Sequence, residues 1–329
     1  MASILVYLSA CVLPVAGALD VQAQPAAKVY RVGVVSPLEA TPEPPTVRAF
    51  RQALRELGYV EGKNLILEAR YANGRPELFP GLVAGLIAQK VDVLVSGSNA
   101  GTLAAKNATA TIPIVFAGVL DAIAAGIVVS LARPGGNITG ATFGVAGSGI
   151  EGKWLEMLTE TVPGISHVAV LHNSADLQSP EALREVYGAA RKLKIRIGQF
   201  DANNDASLEK AFAAIGASGA QGLIVAGSAY FGGNRVKVVR LVAEKRLPAI
   251  YFFSLFPEVG GLMSYGGSSE DSYRRAASHV DRILKGAKPG DLPVDQATRF
   301  ELVFNLKAAK ALGIAIPRSM LLRADRVIE

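Results

Sequence analysis

Cysteine is nearly absent: the 329 residues hold one, Cys11, together with three histidines and one tryptophan. A single cysteine closes no disulfide within the chain, and past residue 11 there is neither a thiolate nucleophile nor a cysteine-based metal site. The histidines are His167, His172 and His279, and none stands at metal-ligand spacing from another ligand type. His167 begins an expected strand and His279 lies on an expected helix, so both read as structural. His172 ends a strand beside Asn173 and Ser174. No GxGxxG follows the first strand-like run "VGVVSPLEA", and Gly97-Ser98 and Gly147-Ser148-Gly149 lack the strand–Ser–helix spacing of a nucleophile elbow. No nucleophile–base set is visible, and no cofactor or metal is called for, so the expectation is a non-enzyme. Basic residues exceed acidic ones, 34 to 28, for a net charge of +6. They are spread out, and the densest run, "RKLKIR" at 191–196, has no interleaved aromatics. No nucleic-acid partner is expected.

What is present is core. Half of the residues are hydrophobic and 19% are charged, a well-cored globular composition of a length that suits about two domains. The first segment stands apart: "SILVYLSACVLPVAGAL" (3–19) is apolar and uncharged, and Val21-Gln22-Ala23 fits a small-x-small cleavage pattern. Residues 1–23 read as a secretory signal peptide, which places the mature chain in the periplasm. Two alternatives stay open. "LSAC" (8–11) resembles a lipobox in which Cys11 is lipidated, and the segment also allows an uncleaved anchor.

From Val29 onward β-branched runs alternate with amphipathic ones. Strands are expected at 29–35, 64–71, 91–97, 112–118 and 138–143, then at 167–173, 195–201, 222–228, 247–253, 260–266 and 299–305. Helices fall between them. In 46–58, Val47, Phe50, Leu54 and Leu57 share one face and Gly58 ends it; "AIAAGIVVSLA" (122–132) also reads as a helix. Such alternation means α/β with parallel sheets, and the number of strands suits two sheets better than one. The glycine-rich stretch "LARPGGNITG" (131–140) then follows a helix and precedes a strand. A phosphate loop needs the reverse order, because only a helix N-terminus presents free N–H groups to an anion. The stretch therefore reads as a helix cap and turn, with the strand after it, around Thr142 and Phe143, as the part that reaches a ligand.

Ligands of open α/β sheets bind beyond the carboxyl ends of the strands. Those ends carry Ser36, then Ser98 and Asn99, then Asp121, in the first half, and Asn173, Ser228, Tyr230 and Tyr251 in the second. Each is also ordinary turn chemistry. Together with Phe252 and Phe253 they make a small polar set with aromatic walls, suited to a zwitterion with an apolar side chain. Asp121 suits an ammonium group, and Ser98 and Asn99 suit a carboxylate.

The stretches "FRQALRELGYVEGKNLILEARYANG", "IPIVFAG", "SLARPGGNITG", "LPAIY", "GGLMSYG", "VDRILKGAKPGDLPV" and "FELVFNLKAAKALG" resemble the ABC-transporter substrate-binding proteins of the tryptophan/tyrosine-uptake type. The resemblance runs over about residues 29–329. It implies a type I periplasmic-binding-protein fold: two Rossmann-like lobes, a three-strand hinge and a ligand cleft between them. It puts lobe one at 29–142 plus 267–292 and lobe two at 143–266 plus 298–329. The crossovers fall near 141–146, near Tyr265-Gly266 and near 291–298, which adds Tyr265 to the ligand-binding candidates. Where relatives often read Asp-Pro, this chain has Asp121-Ala122. The function implied is an exported receptor of an ABC importer, a monomer that captures a small molecule, best an aromatic or other amino acid, and presents it to the membrane permease. The rival readings are a periplasmic α/β enzyme and a ligand-sensing domain for a different small metabolite.

Overall fold

Valine-rich strands buried on both faces set the architecture. The computed structural model describes residues 28–144, 150–176, 179–297 and 300–329; the proposed signal peptide and Cys11 lie outside the described residues. The first half runs β1 (Tyr30–Ser36), α1 (Pro45–Glu56), β2 (Leu65–Tyr71), α2 (Phe79–Ala88), β3 (Val93–Ser96), α3 (Asn99–Ala108), β4 (Ile114–Val119) and β5 (Ile138–Thr142). The second runs α4 (Ile150–Thr161), β6 (His167–His172), α5 (Ser179–Leu193), β7 (Arg196–Asp201), α6 (Asp205–Ala217), β8 (Gly222–Val225), α7 (Ala229–Gly233), α8 (Arg235–Glu244), β9 (Ala249–Tyr251), α9 (Leu255–Glu258) and β10 (Met263–Gly267). The chain closes with α10 (Ser269–Leu284), β11 (Asp295–Gln296), β12 (Phe300–Asn305), α11 (Leu306–Leu312), α12 (Arg318–Arg323) and β13 (Arg326–Ile328).

These strands form two sheets, ordered β11-β5-β4-β3-β1-β2 and β13-β12-β10-β9-β8-β6-β7. Every pairing is parallel except β10 with β12. Strands β3, β4, β6 and β8 are buried along their whole length, as parallel strands covered by helices on both faces must be. On the six-stranded sheet, α1 and α10 bring Phe50, Leu54, Tyr273 and Val280 onto one face, and α2 and α3 bring Phe79, Leu86 and Ala105 onto the other. On the seven-stranded sheet, Trp154, Leu158 and Met320 fill one face, and Phe212, Val238 and Phe256 the other. The chain changes sheet after β5, after β10 and after β11, since α10 and β11 return to the first sheet.

One expected helix does not form. Residues 122–132 make a string of turns. Asp121 enters at φ +40, its carboxylate accepts the Ala124 N–H at 3.0 Å, and Gly126 takes φ +66. The β-branched run Ile127–Val128–Val129 that follows gives a helix little to continue with. Lys106 Nζ caps the freed carbonyls of Gly126 and Ile127 at 2.6 and 3.1 Å. The glycine-rich stretch is therefore not a helix cap. Its loop lies backbone to backbone on the turn before β11: the Gly135 N–H reaches Gly290 O at 3.4 Å, and a methyl group at Gly290 would sit 2.7 Å from Gly136 O. Gly140, inside β5 at φ +153, lies so close to β4 that a methyl group there would sit 2.1 Å from Phe116 O.

Candidate functional site

Between the two sheets lies a cavity of about 610 Å³, part of it open to solvent. It is built from the loops beyond the strand ends of both sheets, as open α/β architecture dictates. From the first sheet come Pro37, Leu38, Thr46, Ser98, Asn99, Leu120, Ser269 and Tyr273; from the second come Asp176, Ser228, Gly232, Phe253 and Leu255; Phe143 stands where the chain first changes sheet.

The first-sheet wall is a meeting of helix N-termini. Thr46 is in the first turn of α1. Ser98 is the N-cap of α3, its Oγ accepting the Gly101 N–H at 3.1 Å. Ser269 opens α10, whose N-cap Ser268 accepts the Asp271 N–H at 3.3 Å. Three partial positive charges thus face one cavity wall, and no lysine or arginine is among the described lining residues. Behind them Tyr273 fills the floor. Burial pushes its phenol up, against the neighbouring hydroxyls of Ser36 and Thr46, which favour the ionised form. Gly97 makes this possible, since a methyl group there would sit 2.0 Å from that hydroxyl.

The second-sheet wall carries the one charged side chain among the described lining residues, Asp176. Burial raises its pKa to about 6, against a hydrogen bond from Ser228 that favours the carboxylate. Its Oδ2 is buried and has no hydrogen-bond partner among the described residues. Ser228 is in turn held by Asn173, whose Nδ2 donates to Ser228 Oγ at 3.1 Å. Aromatic rings close the apolar part. Phe143 meets Phe252 and Phe253 edge-on, at centroid distances of 5.3 and 5.7 Å, and Phe252 meets Trp154 at 5.8 Å. Gly118, at φ +75, admits Phe143: a methyl group there would sit 2.4 Å from the ring.

The cavity brings together Ser98, Asn99 and Ser228 among the residues expected from sequence. Asn99 is committed to shape: its amide donates to Leu120 O at 2.6 Å and accepts from Leu120 N at 2.8 Å. Ser36 and Asn173 sit one layer behind, Ser36 beside Tyr273 and Asn173 bonded to Ser228. The others are not among the lining residues. Asp121 is folded into its own turn. The Tyr230 hydroxyl donates to Asp205 at 2.9 Å. Tyr251 is 1% exposed and stacks on Phe256 at 4.5 Å, in the core below α8 and α9. Tyr265 packs against Phe300. Thr142 gives its hydroxyl to Val119 O at 2.8 Å, while its neighbour Phe143 does reach the cavity. Asp176 went unseen in the sequence because "HNSAD" reads as a strand end running into a turn, with nothing to mark which acid faces inward.

No group of three potential metal ligands occurs among the described residues, and no described helix is long and apolar enough to cross a membrane. The arrangement offers a carboxylate to a cation, helix N-termini to an anion, and rings to an apolar group.

Residues 31–328 match the model of the family described as ABC transporter substrate binding protein. A tyrosine-binding protein of Clostridioides difficile (strain R20291) is 24% identical over 267 residues, spanning 81% of this chain and 76% of that protein. Among solved structures, a conserved domain protein from Vibrio cholerae is similar at 27% identity and a TM-score of 0.80, covering 91% of this chain and all of the other. The ABC domain in complex with L-Trp from Streptococcus pneumonia is similar at 23% identity and a TM-score of 0.82, covering 92% of this chain and all of that one.

Proposed function

The chain belongs to the ABC transporter substrate-binding protein family, and from that premise we propose that its cleft takes a free amino acid as a zwitterion, with an aromatic or other apolar side chain. As a member of that family it is a solute-binding receptor that hands a small molecule to an ABC transporter. The observation that carries the finer reading is the pairing across the cavity: half-buried Asp176, whose buried Oδ2 has no partner among the described residues, on one wall and the N-termini of α1, α3 and α10 on the other. The ligand ammonium then neutralises Asp176, and the ligand carboxylate rests on the helix ends. Its side chain lies among Phe143, Phe253, Leu120 and Leu255. A relative described as tyrosine-binding and a similar structure holding L-Trp support the aromatic choice.

The same reading makes the two sheets with their helices two lobes, 29–142 plus 267–292 and 143–266 plus 298–329. Ligand contacts from both lobes coexist only when they close, so ligand shifts the population toward closure. The ligand contacts proposed are Ser98, Ser228, Asp176, Phe143, Phe253 and the first turns of α1 and α10. Residues 1–23 act as the leader, and the mature chain works as a periplasmic monomer without chemistry on its ligand.

A thermal-shift screen of residues 24–329 against amino acids, sugars, purines and carboxylates tests this. A binder at 100-fold excess over its Kd adds about 2.7 kcal/mol. Aromatic amino acids should give the largest shift. A shift with sugars or purines and none with any amino acid contradicts the reading.

A further inference from the structure

At one wall of the cleft the two sheets meet backbone to backbone, with one side-chain hydrogen bond across the contact. Gly74 follows β2 and Gly233 ends α7, so they come from opposite sheets. A methyl group at Gly233 would sit 2.3 Å from Gly74 Cα and 2.8 Å from Pro37 O, and one at Gly74 would sit 2.5 Å from Asn234 Nδ2. Asn234 Nδ2 donates to Gly74 O at 3.1 Å, and the Gly74 N–H donates to Pro37 O at 2.8 Å. Gly74 has φ +70, so its turn favours glycine in any case. Gly233 differs: it is helical, shows no positive φ, and glycine is a poor helix residue. Its want of a side chain is explained by the approach of Gly74. The contact touches the cavity directly, because Pro37 and Gly232 line it.

We propose that Gly74, Gly233 and Asn234 form a clasp that completes the closed state and sets the size of the ligand. Backbone meeting backbone leaves no gap at this wall, so a ligand must leave this side of the cavity clear. A single amino acid does so. A peptide, which prolongs the ligand beyond the cavity, holds the clasp apart. The size limit rests on the reading of the cleft as an amino-acid site; the clasp itself does not.

The test is a cross-link. A methyl carbon at Gly74 would sit 2.9 Å from Asn234 Cγ, so Gly74→Cys with Asn234→Cys, in a Cys11→Ser background, brings the two thiols within reach of a disulfide, whose Cβ atoms lie about 3.8 Å apart. The folded double variant should cross-link on mild oxidation without ligand. L-tyrosine should speed this about fivefold or more by populating closure, while L-tyrosyl-L-tyrosine should not. L-tyrosine added before oxidation should stay bound through gel filtration; added afterwards it should not enter. A folded, oxidised variant that forms no cross-link overturns the clasp. A dipeptide that speeds the reaction as much as L-tyrosine overturns the size limit. If L-tyrosine does not bind at all, the amino-acid reading falls, and ligand-free cross-linking still decides the clasp. If the double variant does not fold, Asn234→Ala replaces it. Its Kd for L-tyrosine should rise about fivefold, and an unchanged Kd overturns the proposal.

Discussion

Asn173 donates its side-chain amide to the hydroxyl of Ser228 at 3.1 Å, and that hydroxyl in turn favours the ionised carboxyl of Asp176. A residue beyond the cavity thereby supports the carboxylate on its wall. Asn173→Ala should leave the fold intact and weaken amino-acid binding by about fivefold, the loss of roughly one hydrogen bond. Calorimetric titration with circular dichroism as the folding control checks this. An unchanged Kd would mean that Ser228 needs no support.

Affinity should depend on pH through Asp176. Burial raises this carboxyl to about 6, and only the ionised form attracts an ammonium group. Binding is at full strength above that value and weakens as pH falls through it, approaching about tenfold per pH unit below. The sign for stability is opposite. A raised folded pKa favours the unliganded native state at low pH, and that contribution is lost as pH rises through about 6. Asp176→Asn should therefore flatten the affinity profile between pH 7 and 5. A wild-type profile that is flat over the same range counts against the ammonium contact.

Gly140→Ala should be severely destabilising. Its φ of +153 strains any side chain, and the added carbon would meet Phe116 O at 2.1 Å inside the β4–β5 ladder. A loss of about 3 kcal/mol or more is expected from a clash that only backbone movement relieves. Urea unfolding measures it. A loss under about 1 kcal/mol would show that β5 shifts freely away from β4.

Asp295 begins the last passage between sheets, paired in register with Ala141 of β5. His279 Nε2 lies 3.2 Å from its carboxylate and holds that carboxyl below the usual range. The resulting stability is present above the ordinary carboxylate pKa and is lost as pH falls through the lowered value. Asp295→Asn should lower Tm near neutral pH, with the difference closing as pH falls below the ordinary carboxylate range. A constant difference across that range would mean that the charge is not what matters.

The alternation of strand and helix was legible because buried parallel strands are written as β-branched runs, as in Val32–Val35 and Val93–Val95. Segment 122–132 misled because its apolar residues match a helix face, and only the αL turn at Gly126 and the tertiary cap from Lys106 reveal otherwise. In the site, Ser98 was legible: a serine that ends a strand and begins a helix is both N-cap and cavity wall. Asp121 and Tyr251 have the same local signature of acid or ring past a strand. Their side chains turn into a loop and into the core, a choice made by neighbours distant in sequence. Asp176 is the converse, an acid in an unremarked turn that long-range folding aims at the cavity.

The most direct measurement of the central claim is calorimetric titration of residues 24–329 with L-tyrosine, N-acetyl-L-tyrosine and L-tyrosinamide, on wild type and Asp176→Asn at pH 7.5. We predict one site for L-tyrosine, at least about thirtyfold weaker binding of both derivatives, and a similar loss for L-tyrosine on Asp176→Asn, as expected for a buried charge contact of about 2 kcal/mol. N-acetyl-L-tyrosine binding as tightly as L-tyrosine, or Asp176→Asn binding as tightly as wild type, would contradict it.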